Sequence, residues 1–394
     1  MNCAILGCGY VADFYMATLS SHPELAVSGC YDLNPQRLAE FSKFYKVTAY
    51  PSLESLLADD SVEMVLNLTN PRSHYETTKV CLEAGKHVYS EKPLAMDTAS
   101  AAELAGLAKS RGLGLATAPC SLLSETAQTL WKGVKEGVTG PVKLVYAAFD
   151  DGMIHRHHFK KWKSATGAYW PAKDEFEVGC TYEHAAYVLS WLAAIFGPAR
   201  RIHAYSTTCV TNKGIAVDTM APDFTVGCIE YDNNVVARVT CSILAPLDKS
   251  IQIIGEEGML YTKFVRNDGS PVYFQSTTPN RILSGIASRL GHWRVRFEQL
   301  LRLPFSLSGM KFERKFPYAR RPKFQYSAGN KPVDFLRGPA ELVRSIAEAR
   351  PCRLSPELGV HLTEVIESLQ HPERFDNPHT LTTTFPAIEP LPWE

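Results

Sequence analysis

Gly7-Cys8-Gly9-Tyr10-Val11-Ala12 follows directly on a short apolar run, Asn2 to Leu6, and precedes an apolar helical stretch carrying Phe14, Met16 and Leu19. Gly-x-Gly-x-x-Ala between a strand and a helix leaves few folds open. The first glycine permits a tight turn. The second, with Tyr10 and Val11 in the same loop, lets backbone N–H groups approach a pyrophosphate at the helix N-terminus. The alanine allows close helix–strand packing. Leu25 to Tyr31 reads as a second strand, and Asp32 ends it about 20 residues beyond the glycines, where an acidic side chain meets an adenosine ribose hydroxyl. Asp32 therefore favours NAD over NADP. Arg37 could instead meet the extra phosphate of NADP, so either cofactor stays open.

The alternation continues. A helix over 35–45 is followed by a strand over 63–68, whose end, Thr69-Asn70-Pro71-Arg72-Ser73-His74, opens another helix. His87-Val88-Tyr89-Ser90 is a further short strand that runs into Glu91-Lys92-Pro93. Pro93 cannot donate to a strand ladder and biases Lys92 away from helix, so a carboxylate and an ammonium are held at the carboxyl edge of a strand. Ligands of open α/β sheets bind outside that edge. A helix over 98–110 and a strand over 113–118 complete a mostly parallel, doubly wound sheet.

Gly7-x-Gly9-x-x-Ala12, Asp32, Thr69 to His74 and Glu91-Lys92-Pro93 together resemble the Gfo/Idh/MocA oxidoreductases over roughly the first 120 residues. The resemblance implies an α/β Rossmann domain followed by an α+β domain with an open-faced, mainly antiparallel sheet. It implies NAD or NADP as cofactor, with Gly7, Gly9, Tyr10, Val11, Asp32, Arg37, Thr69, Asn70, His74, Glu91 and Lys92 as its contacts, and Lys92 beside both nicotinamide and substrate hydroxyl. A desolvated ammonium has its pKa lowered and can pass a proton near neutral pH, which suits that role. Trp162, before the Gly167-containing turn, resembles the family's tryptophan that lies over the cofactor or substrate.

Beyond Pro119 the pattern changes. A helix is expected over 121–138, a strand over 142–149, and a helix over 185–196 opened by Gly179-Cys180-Thr181-Tyr182-Glu183-His184. By resemblance His184 carries or orients the substrate proton. Cys180 stands where the family has an Asp, and Glu183 or Tyr182 is expected to replace that carboxylate. His155, His157 and His158 fit no common metal spacing and have no nearby Cys or Glu partner, so no metal is expected. Strands over 201–206, 224–231, 235–242 and 249–255 build the second sheet, with Asp232-Asn233-Asn234 as a hairpin turn. Helices over 334–348 and 356–369 are expected to fold back on the first domain.

Residues 279–330 carry Arg and Lys at many positions between 281 and 323, with apolar residues at helical spacing: a basic amphipathic insertion able to touch an anionic surface or an anionic substrate, or to pack subunits. The division expected is 1–119, a dinucleotide-binding domain, and 120–394, a substrate and oligomerisation domain. With a formal net charge of +0 there is no global pull towards nucleic acid. No run is long enough to span a bilayer. The 10 scattered cysteines suit a reducing cytoplasm. The reading is an NAD(P)-dependent dehydrogenase of a sugar, cyclitol or nucleotide-sugar-like substrate, assembled as a homo-oligomer (dimer or tetramer). The alternatives are a glycosidase or lyase using transient oxidation, and a cofactor-binding regulator.

Overall fold

The computed structural model describes residues 1–277, 314–320 and 333–393. β1 (Asn2–Leu6), β2 (Ala26–Tyr31), β3 (Thr48–Ala49), β4 (Met64–Asn67), β5 (His87–Ser90) and β6 (Leu115–Thr117) form a parallel sheet ordered β3-β2-β1-β4-β5-β6. α1 (Ala12–Met16), α2 (Pro35–Tyr45), α3 (Leu53–Leu57), α4 (His74–Glu83) and α5 (Thr98–Arg111) connect the strands. All four residues of β4 are buried, as expected of a strand covered on both faces. The strand order reverses between β1 and β4, so a crevice opens beyond their carboxyl ends, at Gly7 and Thr69.

Local chemistry sets the helix limits. Asn34 accepts the Gln36 and Arg37 N–H groups at the start of α2, with Pro35 as first residue. The single helix expected over 121–138 is split: a 3₁₀ turn at Cys120–Leu123 gives way to α6 (Glu125–Lys135), because the Ser124 hydroxyl accepts the Ala127 N–H and restarts the helix there.

The second sheet is built on β7 (Val142–Asp150). Between β7 and the next strand come α7 (Ala172–Val178), a π turn at Thr181–Ala185, and α8 (Ala186–Phe196). β8 (Ala199–Thr207), β9 (Phe224–Tyr231), β10 (Val236–Ser242), β11 (Ile251–Gly255), β12 (Gly258–Thr262), β13 (Val272–Ser276), β14 (Arg314–Lys315) and β15 (His379–Thr380) complete it, in the order β14-β13-β12-β11-β7-β10-β9-β8-β15. β7 and β10 pair in parallel and the remaining neighbours antiparallel. Asn233 and Asn234, both at positive φ, turn the chain between β9 and β10. The interior of α8, with Trp191 fully buried, fills the space beneath the sheet.

α9 (Arg337–Ala347) and α10 (Pro356–Gln370) lie between the two sheets. A Cβ on Gly338 would meet the Tyr89 hydroxyl at 2.2 Å, so glycine lets α9 press onto β5. Glu367 of α10 accepts the Thr98 N–H and hydroxyl at 3.0 and 2.8 Å, and Gln370 donates to the Val178 carbonyl at 2.7 Å. α9 starts three residues later than the expected helix. The Asp334 carboxylate turns aside to accept from Thr18 and from the Leu336 N–H, with His22 2.9 Å away. The basic amphipathic helix expected within 279–330 lies outside the described residues, apart from 314–320.

Candidate active site

The glycine loop is shaped by contact on one side and openness on the other. Gly7 sits at φ +98°, and a Cβ there would lie 2.7 Å from the Leu68 carbonyl oxygen, so a side chain is excluded. A Cβ on Gly9 would meet nothing within 4 Å, which leaves that face free for a phosphate to approach. Asp32, buried at the end of β2, ties this loop down: Oδ2 accepts the Cys8 N–H at 2.8 Å, while Oδ1 accepts the Asn34 N–H at 2.7 Å and Arg37 Nη2 at 2.8 Å. Arg37 is thus drawn to Asp32 instead of standing free for a phosphate. Tyr10 packs edge-on against Phe14, with ring centroids 5.2 Å apart, and Val11 caps α1.

After β4, the Thr69 hydroxyl donates to Asn67 Oδ1 at 2.7 Å and Asn70 stands exposed at the head of a 3₁₀ turn. His74 is buried, with Nδ1 2.6 Å from the Pro93 carbonyl and Nε2 3.0 Å from that of Thr69. Burial pushes its pKa down while the two carbonyls pull it up. His74, expected among the cofactor contacts, is a strut joining the loops after β4 and β5. Glu91 is likewise committed inside the protein: Oε1 accepts the Tyr15 hydroxyl at 2.7 Å and Oε2 the Lys92 N–H at 3.1 Å.

The Lys92 ammonium faces away from Glu91 and donates to Glu183 Oε2 at 2.6 Å, with both side chains close to nine-tenths buried. Burial works against the charge on Lys92, but Glu183, then Tyr187 and Glu91, outweigh it and raise its pKa. The expectation that desolvation lowers this pKa fails for that reason: the sequence did not reveal the counter-ion. Burial opposes the Glu183 charge too, and Lys92 then His184 and His74 overcome it and lower its pKa.

His184 is the neighbour of Glu183 on the π turn, whose wider winding turns both towards the cleft. Its ring lies flat on Phe149, at 5.1 Å and 9°. Its Nε2 is 2.7 Å from Glu175 Oε1 on α7 and 3.7 Å from Asp151 Oδ2. No hydrogen bond engages Nδ1 among the described residues. Burial raises the Glu175 pKa against the pull of His184. Asp151, pushed up by burial, is brought below the usual range by His184 and by Lys249, its ion-pair partner. The carboxylates beside His184 are therefore Glu175 and Asp151, where Glu183 or Tyr182 was expected. Tyr182 points the other way: it is buried and its hydroxyl donates to the Met96 carbonyl at 2.7 Å. Cys180 is buried against Cys241.

Two clasps cross the cleft. Arg72, after β4, donates to the side chain and the carbonyl of Glu177 on α7, both at 3.0 Å. Thr166, in the turn after Trp162, donates through its N–H and hydroxyl to Asp13 of α1 at 3.0 and 2.9 Å. Trp162 itself packs against Trp170 at 5.2 Å, at the base of that turn. His155, His157 and His158 line a separate surface hollow with Lys160 and Lys161.

Residues 1–118 match the model of an oxidoreductase family with an NAD-binding Rossmann fold, and residues 127–261 match the C-terminal domain of the same family. The chain belongs to the Gfo/Idh/MocA oxidoreductases. It is an NAD(P)-binding oxidoreductase. Among curated relatives, bovine trans-1,2-dihydrobenzene-1,2-diol dehydrogenase is 26% identical over 260 residues, covering 66% of this chain and 71% of that one. UDP-N-acetylglucosamine 3-dehydrogenase of Acidithiobacillus ferrooxidans is 34% identical over 116 residues, 29% of this chain and 36% of that one. Of solved structures, the aldose–aldose oxidoreductase of Caulobacter crescentus superposes with TM-score 0.70 at 18% identity, covering 95% of this chain and 97% of that one. The WlbA dehydrogenase of Bordetella pertussis, solved with NADH and UDP-GlcNAcA, gives 0.69 at 14%, covering 97% and 98%. At those identities the two structures speak for the fold alone. Among the described residues, no helix is long and apolar enough to cross a membrane.

Glu175, Asp151 and Lys249 were missed from the sequence. Each sits on a different element and is joined to His184 only by the folding of β7, α7 and β11 together. The one local signal was that Glu175 and Asp151 flank the tryptophan-containing segment.

Proposed function

We propose that this oxidoreductase moves a hydride between nicotinamide and a carbinol carbon of a sugar-like substrate, with Lys92 and His184 handling the hydroxyl and its proton. The observation that carries the reading is the pair of matched sites at the carboxyl edge of β5: an ammonium with its own carboxylate (Lys92–Glu183, 2.6 Å) beside an imidazole with its own (His184–Glu175, 2.7 Å). The names of the relatives, dehydrogenases of a dihydrodiol and of a nucleotide sugar, support an alcohol carbon as the reacting centre.

The glycine loop fits a dinucleotide: an open face at Gly9, a backbone held by Asp32, and a helix N-terminus behind it. When bound, the nicotinamide supplies the hydride acceptor or donor. Lys92, kept protonated by Glu183, donates to the substrate oxygen and stabilises charge building on it. His184 donates Nε2–H to Glu175, which fixes the tautomer and leaves Nδ1 to accept the hydroxyl proton; Glu175 then stabilises the imidazolium. In the reverse direction the same groups return the proton. The buried negative charge of Asp32 supports NAD over NADP, whose added phosphate would meet it. We also place the boundary between dinucleotide-binding and substrate domains at residue 119. The described cysteines, all free thiols, support a reducing cytoplasm, and the alternately exposed residues of β8 and β9 support a homo-oligomer.

The test is turnover against neutral sugars, cyclitols and nucleotide sugars, followed at the near-UV absorbance of reduced nicotinamide, in wild type and Lys92→Met. Net reduction by wild type and its loss in the variant, with NAD still bound, is the expected result. Product formed without any absorbance change would replace the reading with transient oxidation and elimination.

A further inference from the structure

Most arginines at the domain junction are matched to carboxylates. Arg337 lies between Glu125, Asp268 and Asp334, Arg72 meets Glu177, and Arg350 and Arg353 share Glu341. Arg266, four residues beyond the end of β12, is different. Its guanidinium sits 4.3 Å over the ring of Tyr187 and 5.7 Å from that of Phe335, half-buried, and makes no hydrogen bond or ion pair among the described residues. A guanidinium carries five N–H donors in a flat fork that matches a carboxylate or phosphate edge. The nitrogens of that fork are not among the buried polar atoms left without a partner, so they stay open to a ligand entering from solvent.

Its position says which ligand. Tyr187 stacks on Phe149 at 5.3 Å, and Phe149 is the ring on which His184 lies. Phe335, on the other side, is 5.4 Å from Tyr15, whose hydroxyl holds Glu91. Arg266 therefore stands between the two walls of the same cleft, one aromatic ring removed from the ring under His184. Asp151, the carboxylate on which the Arg266 charge acts, is already paired with Lys249. Lys249, 4.5 Å over the Phe149 ring, is spent on Asp151 and leaves Arg266 as the cation facing a ligand.

We propose that Arg266 grips an oxyanion, a carboxylate or a phosphate, carried by the substrate at a distance from the reacting carbinol. This deepens the reading above and rests on it: the substrate is an anionic sugar derivative, and Arg266 determines that specificity. The Tyr187 ring below fixes where the guanidinium sits, and its flat fork suits bidentate recognition of an oxyanion.

Glucose, glucuronate and UDP-glucose are titrated into the enzyme–NADH complex, read by the nicotinamide fluorescence, and assayed with NAD for initial rates. Wild type, Arg266→Met and Arg266→Lys are compared, with a melting curve confirming that each variant is folded. At least one anionic probe binds wild type about 30-fold or more tightly than glucose, a preference of the size expected for a desolvated charge pair. Arg266→Met erases the preference. Arg266→Lys keeps part of it, because a point charge replaces a fork. Whether glucuronate or UDP-glucose is the favoured probe separates carboxylate from phosphate. Equal affinity of wild type for all three, no binding of either anion, or a preference that survives in Arg266→Met would each overturn the assignment. Oxidation of glucose as efficient as that of both anions would sink the role of Arg266 and leave the oxidoreductase reading standing. Anion selectivity in binding without any oxidation would do the reverse.

Discussion

Glu183→Gln tests whether the ion pair at the centre of the cleft is an energetic unit. With an effective dielectric constant of about 20, unit charges separated by the 2.6 Å between Lys92 and Glu183 attract by roughly 6 kcal/mol. Desolvation of both groups cancels much of that, so the net value of the pair is small. Removing one partner is a different matter, because it strands the other: about 3–5 kcal/mol is lost. In a cooperative chain of this length, that corresponds to a fall in melting temperature of about 4–6 °C. The pH dependence carries the sharper signature. In wild type the raised Lys92 pKa contributes stability that is fully present below the unfolded lysine value and is lost only as pH rises through the folded one, so stability is insensitive to Lys92 between pH 8 and about 10. In Glu183→Gln, burial is opposed only by the smaller effects of Tyr187 and Glu91, and the Lys92 pKa falls below its unfolded value. The unfolded chain then binds the extra proton, and stability rises with pH through that same interval. The slope appears only in the variant. Melting curves from pH 7 to 10 for wild type, Glu183→Gln, Lys92→Met and the double variant complete the cycle. The double variant should recover most of the loss, since it leaves no buried charge unpaired. A Glu183→Gln protein that melts within about 1 °C of wild type at every pH, with no recovery in the double variant, would refute the argument.

Glu175→Gln should lower kcat by roughly 10²-fold or more and distort the pH–rate profile, whereas Tyr182→Phe should leave turnover near wild type and cost about 1 kcal/mol of stability through its lost bond to Met96; the two rates, side by side, separate the proton path from packing. Asp32→Ala should weaken NAD more than NADP in a binding titration and also loosen the glycine loop, because the Cys8 N–H loses its acceptor. His361, whose Nε2 accepts the Ala199 N–H, is held neutral with its pKa lowered by burial to about 4. The unfolded chain takes up that proton first as pH falls, so stability drops between pH 6.5 and about 4, by up to roughly 3 kcal/mol, and denaturant titrations across that range would measure it.

Legibility from the sequence followed locality. Gly7, Gly9, Asp32 and the Glu91-Lys92-Pro93 turn act through backbone constraints within a few residues, and their spacing carries the signal. The parallel sheet was readable because each strand–helix unit stands complete in the chain. The parallel pairing of β7 with β10 was not, since alternation along a strand names the buried face and not the neighbour. Glu183 and Tyr182 are adjacent, and only the π winding decides that one meets Lys92 while the other is buried against Met96. Glu175, Asp151 and Arg266 are contributed by three separate stretches, so no window along the chain contains the cleft they make.

The Lys92–Glu183 pair joins residues from opposite lobes, and so do the clasps Arg72–Glu177 and Asp13–Thr166. An acid whose counter-ion is carried by the facing lobe has a strength set by the distance between lobes. Were the cleft to part, the same movement that admits ligands would strip Lys92 of its carboxylate and weaken its hold on a proton. Closing would restore both together. On the proposed role of Lys92, proton transfer and enclosure of the cleft are thereby linked.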